Sequence, residues 1–196
     1  MIIDKTTGLL EAARFIPSPN FDERPDGELS LIVLHNISLP PGEFGGEYIT
    51  QLFTNTLDPD AHAFFKEIHK LRVSSHLLIN REGEVIQYVP FHKRAWHAGV
   101  SEYLGRSVCN DFSVGIELEG TDDCAFTEWQ YQSLVAVLQA LVDAYEGLSM
   151  QHITGHEHIA PGRKTDPGPC FDWERLGRVC QASLPADAVI ACKNRS

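Results

Sequence analysis

Residues 127–145 read Thr-Glu-Trp-Gln-Tyr-Gln-Ser-Leu-Val-Ala-Val-Leu-Gln-Ala-Leu-Val-Asp-Ala-Tyr, and they carry the most regular apolar pattern in the chain. Apolar residues recur three or four positions apart over four turns, at Tyr131, Leu134, Val135, Leu138, Leu141, Val142 and Tyr145. Thr127 followed by Gln130 forms a capping-box start, in which two side chains satisfy free backbone N–H groups. The pattern predicts an amphipathic helix with one buried face.

Short apolar segments before this helix are typical of strands. Residues 29–34 and 113–118 are rich in Leu, Ile and Val, as buried strands are. Residues 73–80 and 85–89 are strand-like and are joined by a hairpin turn at 81–84. Short helices are expected at 60–70 and 172–183. Strands mixed with helices predict an α/β fold with a mixed central β-sheet flanked by helices.

The chain of 196 residues is long enough for one domain with a core, and no repeat or low-complexity linker divides it. We expect a single domain over residues 1–196. Its N-terminal arm, about 1–28, is rich in Pro, Asn and Asp and is expected to be irregular. Residues 39–46 can only form a loop, and the tail at about 185–196 is expected to fray.

The composition limits the partners and the compartment. A net charge of −11 argues against nucleic acid, since no basic excess exists to neutralise phosphates. No run of 18 apolar residues occurs, so we expect no membrane partner. The five cysteines are odd in number and contain no Cys-x-x-Cys pair, which makes a disulfide framework unexpected. We therefore expect a cytoplasmic protein. We also expect it to be a monomer.

A Gly- and Pro-rich segment at 155–169 contains His156, His158, Lys164 and Asp166. Imidazole and carboxylate are both ligands for a zinc ion, Zn2+. His35, at the end of a predicted buried strand, supplies the missing third ligand, and His35, His156 and Asp166 would leave a fourth position open for water. Taken alone, His35 is better explained as a capping or core histidine, and His158 is a rival ligand. The combination of residues favours the metal site.

Two further residues are candidates for catalysis. Glu117 lies in a strand whose other face carries Val114, Ile116 and Leu118, and a carboxylate there is unusual unless it faces a polar site. It would act as a general base, or it would lie on a solvated sheet face, as we expect for Glu119. Lys164 is either an exposed loop lysine or a cation that stabilises an oxyanion.

Six segments together resemble one known family. They include Leu-His-Asn-Ile-Ser-Leu-Pro-Pro-Gly-Glu-Phe-Gly-Gly at 34–46 and Asn-Asp-Phe-Ser-Val-Gly-Ile-Glu-Leu-Glu-Gly at 110–120, and the others lie at 14–25, 73–83, 94–99 and 155–169. The chain resembles the zinc-dependent N-acetylmuramoyl-L-alanine amidases of the amidase_2 type, which share a peptidoglycan-recognition-like fold. Within them it is most similar to the cytosolic enzymes that act on 1,6-anhydro-muropeptides.

The resemblance implies a role for each candidate residue. It implies zinc ligation by His35, His156 and Asp166, catalysis by Glu117 and Lys164, and no ligand role for His158. His76 and His97 lie in matched motifs without being ligands, and we expect them to line the site or hold loops. Contacts to the sugar or to stem-peptide carboxylates would come from three side chains, Asn36, Arg72 and Arg106.

The resemblance also implies the reaction. The chain would be a zinc hydrolase that cleaves the amide bond between (1,6-anhydro-)N-acetylmuramic acid and the L-Ala of the stem peptide, in cytosolic peptidoglycan recycling. Two alternatives stay open at this point. One is a muropeptide-binding module without catalysis, and the other is an envelope amidase that acts on intact peptidoglycan.

Overall fold

The computed structural model of the chain describes residues 1–183. Its strands are β1 (Ile3–Asp4), β2 (Leu9–Leu10), β3 (Arg14–Phe15), β4 (Phe21–Glu23), β5 (Leu31–Ile37), β6 (Leu77–Ile79), β7 (Val85–Gln87), β8 (Lys93–Ala95), β9 (Glu102–Tyr103), β10 (Arg106–Ser107), β11 (Ser113–Glu119) and β12 (Ile153–Gly155). Its helices are α1 (Tyr48–Phe53), α2 (Phe65–Ile68), α3 (Glu128–Ala144), α4 (His156–Ile159) and α5 (Trp173–Ser183), with a 3-10 turn at Cys109–Asp111.

Six strands form the central sheet, in the order β12-β5-β11-β6-β7-β3. Strand β5 pairs in parallel with both β12 and β11, and β11 also pairs in parallel with β6. Strand β3 pairs in parallel with β7, whereas β6 and β7 pair antiparallel. The sheet is therefore mixed, and helices cover it, which confirms the predicted fold class. Every residue of β11 is buried, as expected for a parallel strand that is covered on both faces.

Helix α3 covers one face of this sheet. It begins with the predicted capping box, because the Thr127 hydroxyl accepts from the Gln130 N–H at 3.2 Å and the Gln130 side chain accepts from the Thr127 N–H at 3.0 Å. Leu134 and Leu138 are fully buried and share a core cluster with Ile116 of β11. The predicted helix is confirmed. Its buried side chains pack on every second residue of β11, namely Val114, Ile116 and Leu118.

The other face of the sheet packs against α1 and α2. Leu52, Phe53 and Phe65 of these helices form a separate core cluster with Leu78 of β6 and Tyr88. The neighbours of Leu78 along β6 belong to the α3 cluster instead, as the alternation of side chains in a strand requires. The α1–α2 face is therefore the second buried face of the sheet.

The structure differs from the prediction mainly near the N-terminus. The arm at 1–28 contains four short strands: β1 pairs with β2, β3 extends the central sheet beside β7, and β4 pairs with β8. Strands of two or three residues carry too little periodicity to be recognised. The helix expected at 60–70 is the single turn α2, and the strand expected at 73–80 shortens to β6. The tail at 185–196 lies outside the described residues. Within residues 1–183, no helix is both long and apolar enough to cross a membrane.

Candidate metal centre and active site

Three adjacent parallel strands end beside one another and carry the first site residues. In the register of β5 and β11, His35 lies opposite Glu117. In the register of β5 and β12, Leu34 lies opposite Gly155, so that His156, the next residue, begins α4 at the level of His35. Because paired residues of neighbouring strands point to the same face, this row of side chains converges on the α1–α2 face. The fold thus brings together residues that are far apart in sequence.

Asp166 reaches the same place from the loop that follows α4. Its backbone carbonyl accepts from the Glu157 N–H at 2.9 Å. The next residue, Pro167, accepts through its carbonyl from the Asn36 amide at 3.1 Å, and the same amide donates to Asp122 at 2.7 Å. Asn36, one residue after His35, therefore holds the loop that carries Asp166.

Three ligand atoms meet at this point. The Nδ1 atoms of His35 and His156 are 3.0 Å apart, and Oδ2 of Asp166 lies 2.9 Å from the first and 3.1 Å from the second. Two ligand atoms of a tetrahedral zinc ion lie about 3.3 Å apart, so these separations are close to that arrangement. Among the residues that the structure describes, this is the one group of three or more His, Cys, Asp or Glu able to hold a metal ion.

The protonation states of the group also suit a cation. Burial lowers the pKa of His35 to about 4, although Asp166 opposes that shift, so the imidazole is neutral at pH 7. Burial raises the pKa of Asp166, but its close contacts with His156 and His35 outweigh burial, so that its pKa lies below the ordinary value. A neutral imidazole and an ionised carboxylate are the forms that bind metal.

Contacts on the far side of His156 fix which nitrogen is free. Its Nε2 lies 2.9 Å from the carbonyl oxygen of Ala98, which has no proton to give. Nε2 must therefore carry the proton and donate it, which leaves Nδ1 with a lone pair directed at Asp166 and His35. Arg163 donates to the same carbonyl at 2.7 Å. The donor set thus fits a zinc ion.

Glu117 is buried beside these three residues without a full set of partners. It is 8% exposed, and its Oε2 has no hydrogen-bond partner among residues 1–183. Burial raises the pKa of Glu117 well above its usual range, the negative charge of Asp166 raises it further, and Lys164 opposes both. Buried polar atoms without a partner are rare and have a functional explanation more often than paired ones.

Glu119 corrects one expectation. It was expected on a solvated face, but it is only 3% exposed. Its carboxylate accepts backbone N–H groups from Gly45 at 2.5 Å and Arg81 at 3.1 Å. The donors come from loops distant in sequence, so the strand pattern alone could not reveal them. Glu119 holds two loops, whereas Glu117 two residues earlier is left free.

A cavity of about 400 Å3 opens onto these residues. Its polar lining includes His35, Glu117, His156, Lys164 and Asp166. Its apolar lining comes from α1, α2, the loops next to them and the residue after β8, namely Leu39, Leu52, Phe53, Phe64, Ile68 and Trp96. The site therefore joins a metal-ligating and charged group to an apolar surface of the size that a small ligand needs.

The structure does not bring every candidate to this cavity. Asn36 lines it, although its amide nitrogen is used on the Asp166 loop. Arg72 is exposed and donates to backbone carbonyls of its own segment. Arg106 pairs with Glu28 at 2.8 Å, and neither arginine lines the cavity. The side chain of His158 is 60% exposed and does not belong to the group of ligands.

The contact of His97 with His35 was not predicted from the sequence. His97, expected only to line the site or hold loops, places its Nδ1 2.9 Å from Nε2 of His35. It follows the short strand β8 in an irregular segment, and no periodicity or spacing relates it to His35. The motif at 94–99 was the only signal for it.

Comparison with known proteins identifies the family of the chain. A family model described as N-acetylmuramoyl-L-alanine amidase (Amidase_2) matches residues 25–169. The 1,6-anhydro-N-acetylmuramyl-L-alanine amidase AmpD of Escherichia coli K12 is 64% identical over 170 residues, covering 86% of this chain and 92% of that protein. The corresponding protein of Haemophilus influenzae is 50% identical, covering 89% and 95%.

Solved structures share the fold. A crystal structure of a selenomethionine AmpD derivative superposes with a TM-score of 0.88 at 59% identity, covering 91% of this chain and 99% of the other. The amidase AmiD of Escherichia coli, solved with anhydro-N-acetylmuramic acid-L-Ala-D-γ-Glu-L-Lys, has a TM-score of 0.56 at 26% identity, covering 90% and 65%. The chain therefore belongs to the Amidase_2 family of N-acetylmuramoyl-L-alanine amidases and is an amide hydrolase.

Proposed function

We propose that the chain hydrolyses the amide bond between 1,6-anhydro-N-acetylmuramic acid and the L-Ala of the stem peptide, with a zinc ion held by His35, His156 and Asp166. The relatives named for this activity are 50–64% identical over most of their length. The observation that carries the proposal is the convergence of three ligand atoms and the unpartnered Glu117 carboxylate on one cavity.

The metal and the side chains have separate tasks. When bound, zinc supplies Lewis-acid chemistry, which polarises a carbonyl group and makes water more acidic. The Glu117 carboxylate takes a proton from the attacking water and returns it to the leaving L-Ala nitrogen. The raised pKa of Glu117 favours this role, because a general base works best when its pKa lies near the working pH. Lys164 lines the same cavity and stabilises negative charge that develops on the amide oxygen.

The setting of this reaction is part of the proposal. A cavity of about 400 Å3 has the size of a small-molecule site, and the amidase AmiD was solved with anhydro-N-acetylmuramic acid-L-Ala-D-γ-Glu-L-Lys. We place the reaction in cytoplasmic peptidoglycan recycling by a monomer. Cys109, Cys124 and Cys170 carry free thiols, which a reducing compartment preserves.

Product analysis tests the proposal directly. Zinc-loaded protein is incubated with soluble anhydro-N-acetylmuramyl tripeptide and, separately, with intact sacculi, and the products are identified by mass spectrometry. We expect free tripeptide and 1,6-anhydro-N-acetylmuramic acid from the soluble substrate, and slower release from sacculi. Equal or faster cleavage of sacculi would overturn the substrate assignment. Zinc binding with no released tripeptide would instead indicate a binding module.

Two variants test the roles of the side chains. Glu117→Gln keeps the shape of the side chain and removes its basicity, so turnover should fall about 10²–10⁴-fold while zinc content stays at one ion. Lys164→Met should lower turnover about 10²–10³-fold. Lys66→Met is the matched control, since Lys66 is exposed and does not line the cavity. Wild-type turnover in either of the first two variants would contradict the assigned role.

A further inference from the structure

A chain of hydrogen bonds runs from His35 into the protein and ends at a backbone carbonyl. It passes from Nε2 of His35 to Nδ1 of His97 at 2.9 Å, and from Nε2 of His97 to the hydroxyl of Ser113 at 3.2 Å. The Ser113 hydroxyl then meets the carbonyl oxygen of Cys109 at 2.6 Å. We propose that His97 and Ser113 are positioning residues that fix the tautomer of His35, so that its Nδ1 lone pair is available to the metal.

The direction of the chain follows from its last member. A carbonyl oxygen has no proton, so two oxygens 2.6 Å apart require the Ser113 hydroxyl to donate to Cys109. Ser113 has only one proton, and its oxygen can therefore only accept from His97. This places a proton on Nε2 of His97.

The state of His97 then determines the state of His35. A neutral imidazole carries one proton, so a protonated Nε2 leaves Nδ1 of His97 as an acceptor. The ring nitrogens of His97 contact His35 and Ser113, and neither partner carries a negative charge that would favour a protonated ring. The acceptor Nδ1 of His97 requires the proton of His35 to be on Nε2. The Nδ1 of His35 is left bare, 2.9 Å from Asp166.

The opposite arrangement would exchange the Cys109 carbonyl for Asp166 as the final acceptor. If Nδ1 of His35 carried the proton, it would donate to Asp166 and block the ligand position. The donor and acceptor of every hydrogen bond from His35 to Ser113 would have to exchange roles. The hydroxyl of Ser113 would then turn away from the Cys109 carbonyl, which lies 2.6 Å from it in the structure. The observed contact of Ser113 with the Cys109 carbonyl at 2.6 Å therefore belongs to the tautomer that can bind metal.

The two ligand histidines reach the same tautomer by different routes. His156 donates directly to the carbonyl of Ala98 at 2.9 Å. His35 lies in the middle of the sheet, and two side chains must connect it to a carbonyl. This difference predicts that only His35 is sensitive to substitutions along the chain of His97 and Ser113.

A glycine makes room for the connecting ring. A Cβ atom at Gly115 would lie 2.4 Å from Cγ and 2.6 Å from Nδ1 of His97. Gly115 lies inside β11, and its backbone conformation is open to any residue, so the requirement for glycine here is one of space. Gly115→Ala should therefore displace His97 without straining the backbone.

The tautomers and the zinc affinity test this proposal, which rests on the proposed zinc site. Long-range 1H–15N NMR spectra of the metal-free protein report which imidazole nitrogen carries a proton, and competition with a chelator gives the zinc affinity. In the wild type we expect the Nε2–H tautomer at His35, His97 and His156. Ser113→Ala should populate the Nδ1–H tautomer at His35 and His97, leave His156 unchanged, and weaken zinc binding about 10–100-fold.

Matched variants separate this effect from a general loss of packing. Ser75→Ala is the control, because Ser75 is also fully buried but its hydroxyl has no hydrogen-bond partner. It should leave both the tautomers and the zinc affinity unchanged. At position 97, His97→Asn retains an acceptor for His35 and should bind zinc more tightly than His97→Leu, which is of similar size. Gly115→Ala should resemble His97→Leu.

Each outcome bears on one claim. Wild-type tautomers and zinc affinity in Ser113→Ala would overturn the proposal, and so would equal affinities of His97→Asn and His97→Leu. If Ser113→Ala does not fold, the pair at position 97 still decides. If the wild type binds no zinc, the proposed function fails, while the NMR spectra of the metal-free protein still test the tautomers.

Discussion

Arg24 is the most consequential residue of the N-terminal arm, and its removal should destabilise the whole domain. The side chain is only 6% exposed, and no carboxylate in the described part of the chain accepts a hydrogen bond from it. Its guanidinium donates instead to four backbone carbonyls, those of Phe91, Asn110, Asp111 and Ser113, at 2.7–3.3 Å. Burial lowers the pKa of Arg24 to about 10, so the group is still charged at pH 7.

The size of the effect follows from these contacts. A hydrogen bond from a charged donor contributes about 1.5–3 kcal/mol, and a buried acceptor left without a partner costs about 1–3 kcal/mol. The cost of burying the cation offsets part of the gain, so Arg24→Met, which keeps the volume and removes all the donors, should lower the free energy of unfolding by about 3–5 kcal/mol. For a domain of this length the melting temperature should fall by roughly 6–20 °C.

Urea unfolding followed by tryptophan fluorescence measures this change. Arg24→Lys should lie between the wild type and Arg24→Met, because an ammonium group cannot reach four carbonyls that surround a planar fork. Arg178→Met is the control, since that side chain is 66% exposed and its ion pair with Glu174 should contribute less than about 1 kcal/mol. A loss below about 1 kcal/mol in Arg24→Met would refute the reasoning.

Three further predictions concern the long helix, acid stability and the metal. Thr127→Ala removes the capping box of α3 and should cost about 1 kcal/mol in urea unfolding, and an unchanged midpoint would mean that the cap contributes nothing. The hydrogen bond from Arg94 lowers the pKa of Asp22 below its ordinary value of 3.8. The stability that this pair contributes is therefore complete above pH 3.8 and is lost as the pH falls through the lowered pKa of Asp22. Arg94→Met should therefore lessen the loss of stability on acidification below pH 4 in a pH titration of the melting temperature. Zinc at a thousandfold excess over its Kd should stabilise the wild type by about 4 kcal/mol and so raise its melting temperature. Asp166→Asn should lose most of that increase in the same thermal scan.

The elements predicted correctly are those with a local signal along their whole length. Helix α3 has a cap and four turns of spaced apolar residues, and β5 and β11 have continuous apolar runs. The strands of the arm have no such signal, because β3 and β4 each exist only through pairing with β7 and β8, about 70 residues later. Their partners, and not their own two or three residues, make them strands.

The site divides in the same way. His35 and Glu117 could be proposed from sequence because each interrupts or ends an apolar strand, and His156 and Asp166 because a Gly/Pro-rich loop concentrates ligands. The contact of His97 with His35 could not be predicted, since it depends on the packing of an irregular segment against β11. The proton arrangement that we infer for His35 depends on that same packing.

Glu117 and Glu119 show most directly how the fold assigns function. They lie two residues apart on one face of β11, and both are buried. Backbone N–H groups of two loops satisfy Glu119, while one oxygen of Glu117 is buried without any partner beside the three ligand atoms. An unsatisfied buried carboxylate destabilises the folded state, and a fold selected for stability alone would give Glu117 the donors that it gives Glu119. The strand therefore uses one glutamate to hold its surroundings and leaves the other free, which is the state that the proposed proton transfer requires. The difference lies in loops that neither residue's sequence context reveals.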